Sequence, residues 1–152
     1  MPRKHTLGFI SQDEYRLIAI VTNLKDYRFT FYLNQALRMD MVHYDDIAYA
    51  RTGSVMCTYP WFYYHDHQIH TSYYLIGNKH IGGPMLATIK EADYVLLVKS
   101  PIHDDQVKQL VAGIRSIENV VTAFEVQIQT IKDINSVLDT NELHELEQLT
   151  DA

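Results

Sequence analysis

The sequence predicts an α+β fold, with a mixed, mostly antiparallel sheet and helices largely on one face. Residues 14–23 and 93–100 are dense in branched apolar side chains, which is typical of buried strands. Residues 54–65 and 69–79 are two aromatic runs separated by a short polar connection, the spacing of a β-hairpin. Segments with helical spacing lie between these runs, so the predicted order is β-α-β-β-(α)-β-α-β-α.

The first strand, 14–23, leads into a helix over 24–37 that the side chain of Thr22 or Asn23 can cap. Apolar side chains occupy two stripes of this helix. One stripe contains Leu24, Tyr27 and Phe31, and the other contains Phe29, Leu33, Ala36 and Leu37. So broad an apolar surface predicts a helix that is covered on more than one side.

Residues 38–53 predict a short strand or an irregular crossing that ends at Gly53. In the hairpin that follows, Pro60 interrupts the run 54–65, which favours an edge position or a bulge because proline has no N–H to donate. No Asn-Gly or Asp-Gly turn joins this run to 69–79, so we expect a loop of about three to five residues.

The second half alternates again between helix and strand. The sequence predicts one or two helical turns at 85–92 and a central strand at 93–100. It then predicts a helix at 101–118, a strand at 119–127 and a short helix at 130–138. Pro101 and the paired acids Asp104 and Asp105 suit the start of a helix.

The chain of 152 residues fits one domain. We divide it into an N-terminal arm (1–13), a single α+β domain (14–138) and an acidic tail (139–152) that is either a frayed helix extension or disordered.

The composition disfavours several classes of protein. The formal net charge is −6 and the basic residues are scattered, whereas duplex-binding domains carry a basic patch, so nucleic acid is an unlikely partner. Cys57, the single cysteine, excludes an intramolecular disulfide and lies in an apolar run typical of a buried, inert thiol. No signal peptide and no run of ~20 apolar residues is present, which predicts a cytoplasmic protein that does not span a membrane.

The stretch 63–74 contains His65, His67 and His70. Imidazoles at i and i+2 of a strand can chelate zinc, and His70 could reach them across the hairpin. A hairpin tip lacks the rigid frame and the outer hydrogen bonds that hold metal ligands in place. The sequence therefore favours a solvated polar turn, and we expect no metal and no other cofactor.

Lys79, His80 and Asp93 are the remaining polar candidates. Lys79 and His80 could bind an anion with the backbone of residues 82–83, and Asp93 could serve as an acid. The simpler interpretation is solvated strand ends and a turn-forming aspartate, because a Gly-Gly turn without a following Lys-Ser/Thr is a weak phosphate signal. No catalytic residue is assigned.

The aromatic run of the hairpin is the stronger functional signal. Alternate residues of a strand face opposite sides, so consecutive aromatic residues must place some rings outward. Exposed tyrosine and tryptophan are enriched where proteins bind proteins, which makes Tyr59, Trp61, Tyr63 and Tyr73 a candidate binding face. The alternatives are a hairpin sandwiched between helices and tyrosines that are half exposed with hydrated hydroxyls.

Three segments carry a family resemblance: "LIAIVTNLKDYRFTFYLNQAL", "YYLIGNKH" and "IKEADYVLLVKS". Together they resemble the IPExxxVDY family of small proteins from Bacteroidota-type bacteria, over residues 15 to 137. The first half of the naming motif falls on Leu86, Ala87 and Thr88, so its proline and glutamate are missing, while Asp93 and Tyr94 match the second half. The resemblance implies no established activity and a genomic neighbourhood that includes ribonuclease III.

The leading hypothesis is a cytoplasmic, non-enzymatic interaction protein, an adaptor, a regulator or a homodimer, that binds a protein partner through the hairpin face. It predicts that Trp61→Ala weakens association while the chain still folds. The alternative is a metal-binding protein or enzyme that uses the three histidines, or else Lys79, His80 and Asp93. A structured-RNA binder, implied by the resemblance and opposed by the charge, is the third hypothesis.

Overall fold

The computed structural model describes residues 12–51, 53, 55–99 and 102–150. Its strands are β1 (Tyr15–Thr22), β2 (Val42–His43), β3 (Ile47–Tyr49), β4 (Cys57–Tyr59), β5 (Trp61–Asp66), β6 (Thr71–Gly77), β7 (Tyr94–Lys99) and β8 (Val120–Val126). Its α-helices are α1 (Asp26–Leu37), α2 (Asp104–Arg115) and α3 (Ile134–Thr150). Short 3-10 helices lie at Gln12–Glu14, Ala87–Ile89 and Ile128–Thr130. The predicted α+β class and element order are confirmed.

Six strands form one sheet in the order β2-β5-β6-β7-β1-β8, and β3 pairs with β4 in a separate small sheet. Every pairing between the described strands is antiparallel. The apolar runs predicted as buried strands, β1 and β7, are neighbours in the interior of the sheet. The two edges are β2, with two residues, and β8, with seven.

Both faces of the six-stranded sheet are covered. Phe29 and Leu33 of α1 and Ile114 of α2 pack on one face with Ile18 and Leu96. The other face packs against α3 and the segment before it. Its core includes Leu17, Trp61, Tyr74, Leu97, Val137 and Leu138. Two of the three helices therefore share one face, and the third lies on the opposite one.

Pro60 separates β4 from β5 and so divides the predicted strand 54–65 between two sheets. Its ring lies against Gly77, where a Cβ would come within 2.9 Å of the proline Cδ. The N–H of Gly77 donates to the carbonyl oxygen of Pro60 over 3.0 Å. Glycine is required by this close approach. β5 ends at Asp66 and β6 begins at Thr71, so the four-residue loop falls within the predicted length.

The ends of α1 differ from the expectation. Lys25 occupies the N-terminal cap without a side-chain hydrogen bond, and the carboxylate of Asp26 accepts the N–H of Tyr27 over 2.8 Å. Neither Thr22 nor Asn23 caps the helix, because the chain runs on for two more residues before the first turn. At the other end Arg38 adopts a left-handed conformation, with φ of 55°.

The segment from 139 to Thr150 continues α3, a helix of 17 residues. Its side chains Asn141 and His144 are buried, with exposures of 0% and 8%. This part of the predicted tail is ordered helix that packs on the sheet, and the disordered alternative does not hold for it. The predicted arm lies almost entirely outside the described residues. None of the described helices combines the length and apolar character needed to cross a membrane.

Candidate functional site

The predicted hairpin face is not an exposed surface. Tyr59, Trp61 and Tyr73 have exposures of 1%, 0% and 4%, and Tyr63 is half-buried. The four side chains also do not share one face, since Trp61 and Tyr63 lie on the α3 side and Tyr73 on the side of α1 and α2. The expectation of outward-facing rings is wrong for Tyr59, Trp61 and Tyr73, which are buried because helices cover both faces of the six-stranded sheet. The alternative of a sandwiched hairpin describes the structure.

Trp61 anchors α3 to the sheet. Its indole N–H donates to Oδ1 of Asn141 over 2.8 Å, and its ring meets that of His144 edge-on at 4.6 Å. The Nε2 atom of His144 lies 2.8 Å from the carbonyl oxygen of Asp45. These contacts give the hairpin tryptophan a structural role.

Tyrosine hydroxyls continue this attachment along α3. Tyr74 donates to Glu145 over 2.7 Å, and Tyr15 donates to Glu142, which also pairs with Lys99 at 2.7 Å. Burial, together with the neighbouring carboxylates, raises the pKa of Tyr15 and of Tyr74 well above the ordinary value. Both phenols therefore stay protonated and donate at neutral pH.

The three histidines do not converge on one point. His65 lies in β5, where its Nδ1 atom is 2.8 Å from Oγ of Ser72, and its ring meets that of His67 at 4.6 Å. His70 sits in the turn with φ of 52°. Among the described residues, no group of three or more His, Cys, Asp and Glu side chains is placed to hold a metal ion.

Of the other polar candidates, Lys79, His80 and Asp93, the structure brings Lys79 and Asp93 together as an ion pair. Nζ of Lys79 lies 3.1 Å from one carboxylate oxygen of Asp93, and the other oxygen accepts the N–H of Thr22 over 2.9 Å. His80 points elsewhere, with its Nδ1 atom accepting the N–H of Gly82 over 2.9 Å. Because its charge is balanced by Asp93, Lys79 is not a free anion-binding group in this arrangement.

The pair of Lys79 and Asp93 borders a cavity of about 410 Å³, which we call the α1 cleft. Its lining includes residues 22–26 at the start of α1, together with Gly77 and Tyr94. Tyr94 donates its hydroxyl to the carbonyl oxygen of Leu24 over 2.8 Å, which ties β7 to the segment before the helix. The three segments that carry the family resemblance therefore meet here.

Exposed aromatic residues lie beside this cleft, on α1 and the edge strand β2. Tyr27 and Phe31 are exposed to 64% and 58%. The ring of Tyr27 lies 5.4 Å from the ring of His43 in β2 and 6.3 Å from that of Phe62. We call Tyr27, Phe31 and His43 the α1–β2 patch.

The sequence contained the signal for this patch. Tyr27 and Phe31 belong, with Leu24, to one of the two apolar stripes of the predicted helix, both of which we expect to be covered. The structure buries Phe29 and Leu33 and packs the half-buried Leu24 against the core, but it leaves Tyr27 and Phe31 exposed. Periodicity identifies an apolar stripe, but it does not show whether the same chain or another covers it.

Comparisons with protein-family models, with curated proteins and with solved structures found no match to this chain.

Proposed function

We propose that this chain is a non-enzymatic interaction protein, an adaptor or regulator, that binds a partner protein through the α1–β2 patch. The observation that carries the proposal is the contrast within one helix. Phe29 is fully buried, whereas Phe31, two residues further on, is 58% exposed and Tyr27 is 64% exposed. A helix with two apolar stripes and one core has one stripe left for a partner.

The chemistry of the patch suits protein recognition. Aromatic side chains are enriched at protein interfaces because they bury a large area at a small cost in conformational entropy. Tyr27 is supported by His43 and Phe62, and Phe31 by the ring of Tyr32 at 5.4 Å. Side chains held by their neighbours lose less freedom on binding, which favours affinity.

Charged residues border the patch. Lys25 and Arg28 are exposed near Tyr27, and Asp26 lies between them in the chain. Charges at the rim of an interface contribute mainly to the association rate and to the choice of partner. The partner therefore offers an apolar centre with a polar surround, and a second copy of this chain is the simplest variant.

We also propose that this chain is a cytoplasmic bacterial protein of the IPExxxVDY family. The proposal of the family rests on the three sequence segments named above, which lie around the α1 cleft at residues 22–26, Lys79, Asp93 and Tyr94.

The test compares two exposed phenylalanines, one on α1 and one on the edge strand β8. Phe31→Ala removes a ring of the patch that is 58% exposed, and Phe124→Ala removes a ring of β8 that is 41% exposed. Tag-free protein from the source organism is purified, its mass is measured by light scattering, and co-purifying proteins are quantified against the wild type.

We expect a stoichiometric partner or a dimer with wild type and with Phe124→Ala, reduced at least about tenfold with Phe31→Ala. Equal association by a folded Phe31→Ala variant contradicts the proposal.

A further inference from the structure

Three leucines on the outward side of α3 are exposed in the C-terminal half of the helix. Leu143, Leu146 and Leu149, which we call the α3 leucine face, have exposures of 49%, 57% and 36%. We infer that this face binds a basic amphipathic helix of a partner protein. The inference does not rest on the proposed function, because α3 and α1 pack on opposite sides of the six-stranded sheet.

This half of α3 reverses the usual arrangement of a helix on a sheet. Helices normally turn their apolar stripe to the core and their polar side chains to solvent. Here the inward side holds Asn141, which accepts the indole N–H of Trp61. His144 and Gln148 follow on the same side and form hydrogen bonds with the backbone of Asp45. The leucines, spaced by three residues, take the outward side, where no described part of the chain buries them.

The charge of α3 indicates what the partner offers. The helix contains no lysine or arginine, and its acidic residues are Asp139, Glu142, Glu145 and Glu147. Of these, Glu142 alone has an ion-pair partner within the described part of the chain, Lys99 at 2.7 Å. Burial and the charge of Glu142 raise the pKa of Asp139, as expected for a carboxylate without an ion-pair partner. Lysine or arginine beside the partner's apolar stripe would balance these charges.

A second copy of this chain, packed through the same face, does not fit. Two α3 helices would place their carboxylates side by side with no lysine or arginine on either helix, and like charges across an interface are unfavourable. The leucine face is also small, since it extends over about two helical turns, or ~9 Å. A contact of this size suits a weak and reversible complex.

The experiment titrates the full chain into a fluorescein-labelled helical peptide of leucine, alanine and lysine, about 18 residues long, with its leucines on one face. One control peptide has the same composition with the leucines scattered around the helix, and the other has glutamate in place of lysine. Fluorescence anisotropy at about 0.15 M salt gives the Kd. We expect a Kd of about 10–100 μM for the probe and at least about tenfold weaker binding of both controls.

Variants of the chain locate the binding. Leu143→Ala/Leu146→Ala should raise the Kd at least about tenfold, while the fold persists because exposed side chains contribute little to stability. Glu147→Lys should raise the Kd about threefold or more, since it places a positive charge against the basic probe. Val121→Ala shortens a side chain of β8 that is 74% exposed, and Phe31→Ala alters the α1–β2 patch. Both should keep the wild-type Kd.

Other occupants of the face give different results. Residues 1–11 include Arg3 and Lys4 and lead to Gln12, whose side chain donates to Asn135 of α3 over 2.9 Å. If Arg3→Gln/Lys4→Gln bound the probe at least about tenfold more tightly than the wild type, this segment would be the occupant and the inference would be overturned. An unchanged Kd supports a separate partner.

Self-association that the double leucine variant abolishes, measured by sedimentation velocity, would show that a second copy occupies the face and would also overturn the inference. The same conclusion follows if the probe does not bind at millimolar concentration, or if either control peptide binds as tightly as the probe. A wild-type Kd for the double leucine variant would contradict the inference as well.

Discussion

Trp61 donates its indole N–H to Oδ1 of Asn141 over 2.8 Å, and neither residue has exposed surface. One lies in the hairpin and the other in the last helix, 80 residues apart in the sequence. This hydrogen bond joins the hairpin, which resembled a binding surface, to the helix that covers it. The residues that looked most suited to recognition are therefore parts of the core.

Replacing Trp61 should lower the stability of the fold, because its side chain is part of the core and not of a binding surface. We expect Trp61→Ala to lower the free energy of unfolding by about 3–5 kcal/mol, since a fully buried aromatic side chain is removed. Asn141→Ala should cost about 1–3 kcal/mol because the buried indole N–H loses its acceptor. Urea unfolding followed by circular dichroism measures both. A Trp61→Ala variant as stable as the wild type would contradict the buried position.

The two phenylalanines of α1 should respond in opposite ways. Phe29→Ala is expected to destabilise the fold by about 3–5 kcal/mol, because Phe29 is fully buried against the sheet. Phe31→Ala should change stability by less than about 1 kcal/mol, because its ring is mostly in solvent. Thermal unfolding of the pair gives the comparison. Similar losses in both variants would mean that the chain itself covers the patch.

Arg38→Gly should stabilise the chain. Arg38 ends α1 with φ of 55° and ψ of 50°, and a side chain in this conformation costs about 1 kcal/mol relative to glycine. Arg38→Ala serves as the control, since it removes the guanidinium and keeps the strained Cβ. We expect a higher melting temperature for the glycine variant alone. If the melting temperature rose equally in both variants, the cause would be the loss of the arginine charge and not the backbone conformation.

Buried tyrosines should make the fold sensitive to alkali. Burial raises the pKa of Tyr59 and of Tyr73 to about 12 from 10.0. For a group whose pKa is higher in the folded state, the stabilising contribution is complete below the unfolded pKa and disappears as the pH rises through the folded one. Stability should therefore fall between about pH 10 and pH 12.

The measurement for this prediction is urea unfolding at a series of pH values, with tyrosinate absorbance recorded in parallel. Tyr73→Phe should flatten the fall, because it removes one of the ionising hydroxyls. A stability that stays constant up to pH 12 would show that these hydroxyls ionise as freely in the folded chain as in the unfolded one.

Much of the fold follows from local pattern. The branched apolar runs of β1 and β7, the helical spacing of Val107, Leu110 and Ile114 in α2, and the interruption at Pro60 each predicted what the structure contains. These features depend on periodicity and backbone chemistry, which act over a few residues.

The cover over the hairpin could not be predicted in the same way. The C-terminal half of α3 reaches the sheet largely through polar side chains, Asn141, Glu142, His144 and Glu145, which a hydrophobic pattern assigns to solvent. Their partners lie far away in the sequence, so local spacing contains no signal for these contacts. The hairpin therefore looked exposed, and the α1–β2 patch looked covered.

The most direct measurement is photo-cross-linking from the patch. A photoreactive phenylalanine analogue is placed at Phe31 and, as the control, at Phe124, and each chain is irradiated in cells of the source organism. We expect one dominant cross-linked species from position 31, a partner protein or a second copy, and no equivalent species from position 124. The same products from both positions, or none from position 31, would contradict the assignment of the α1–β2 patch as the interaction surface.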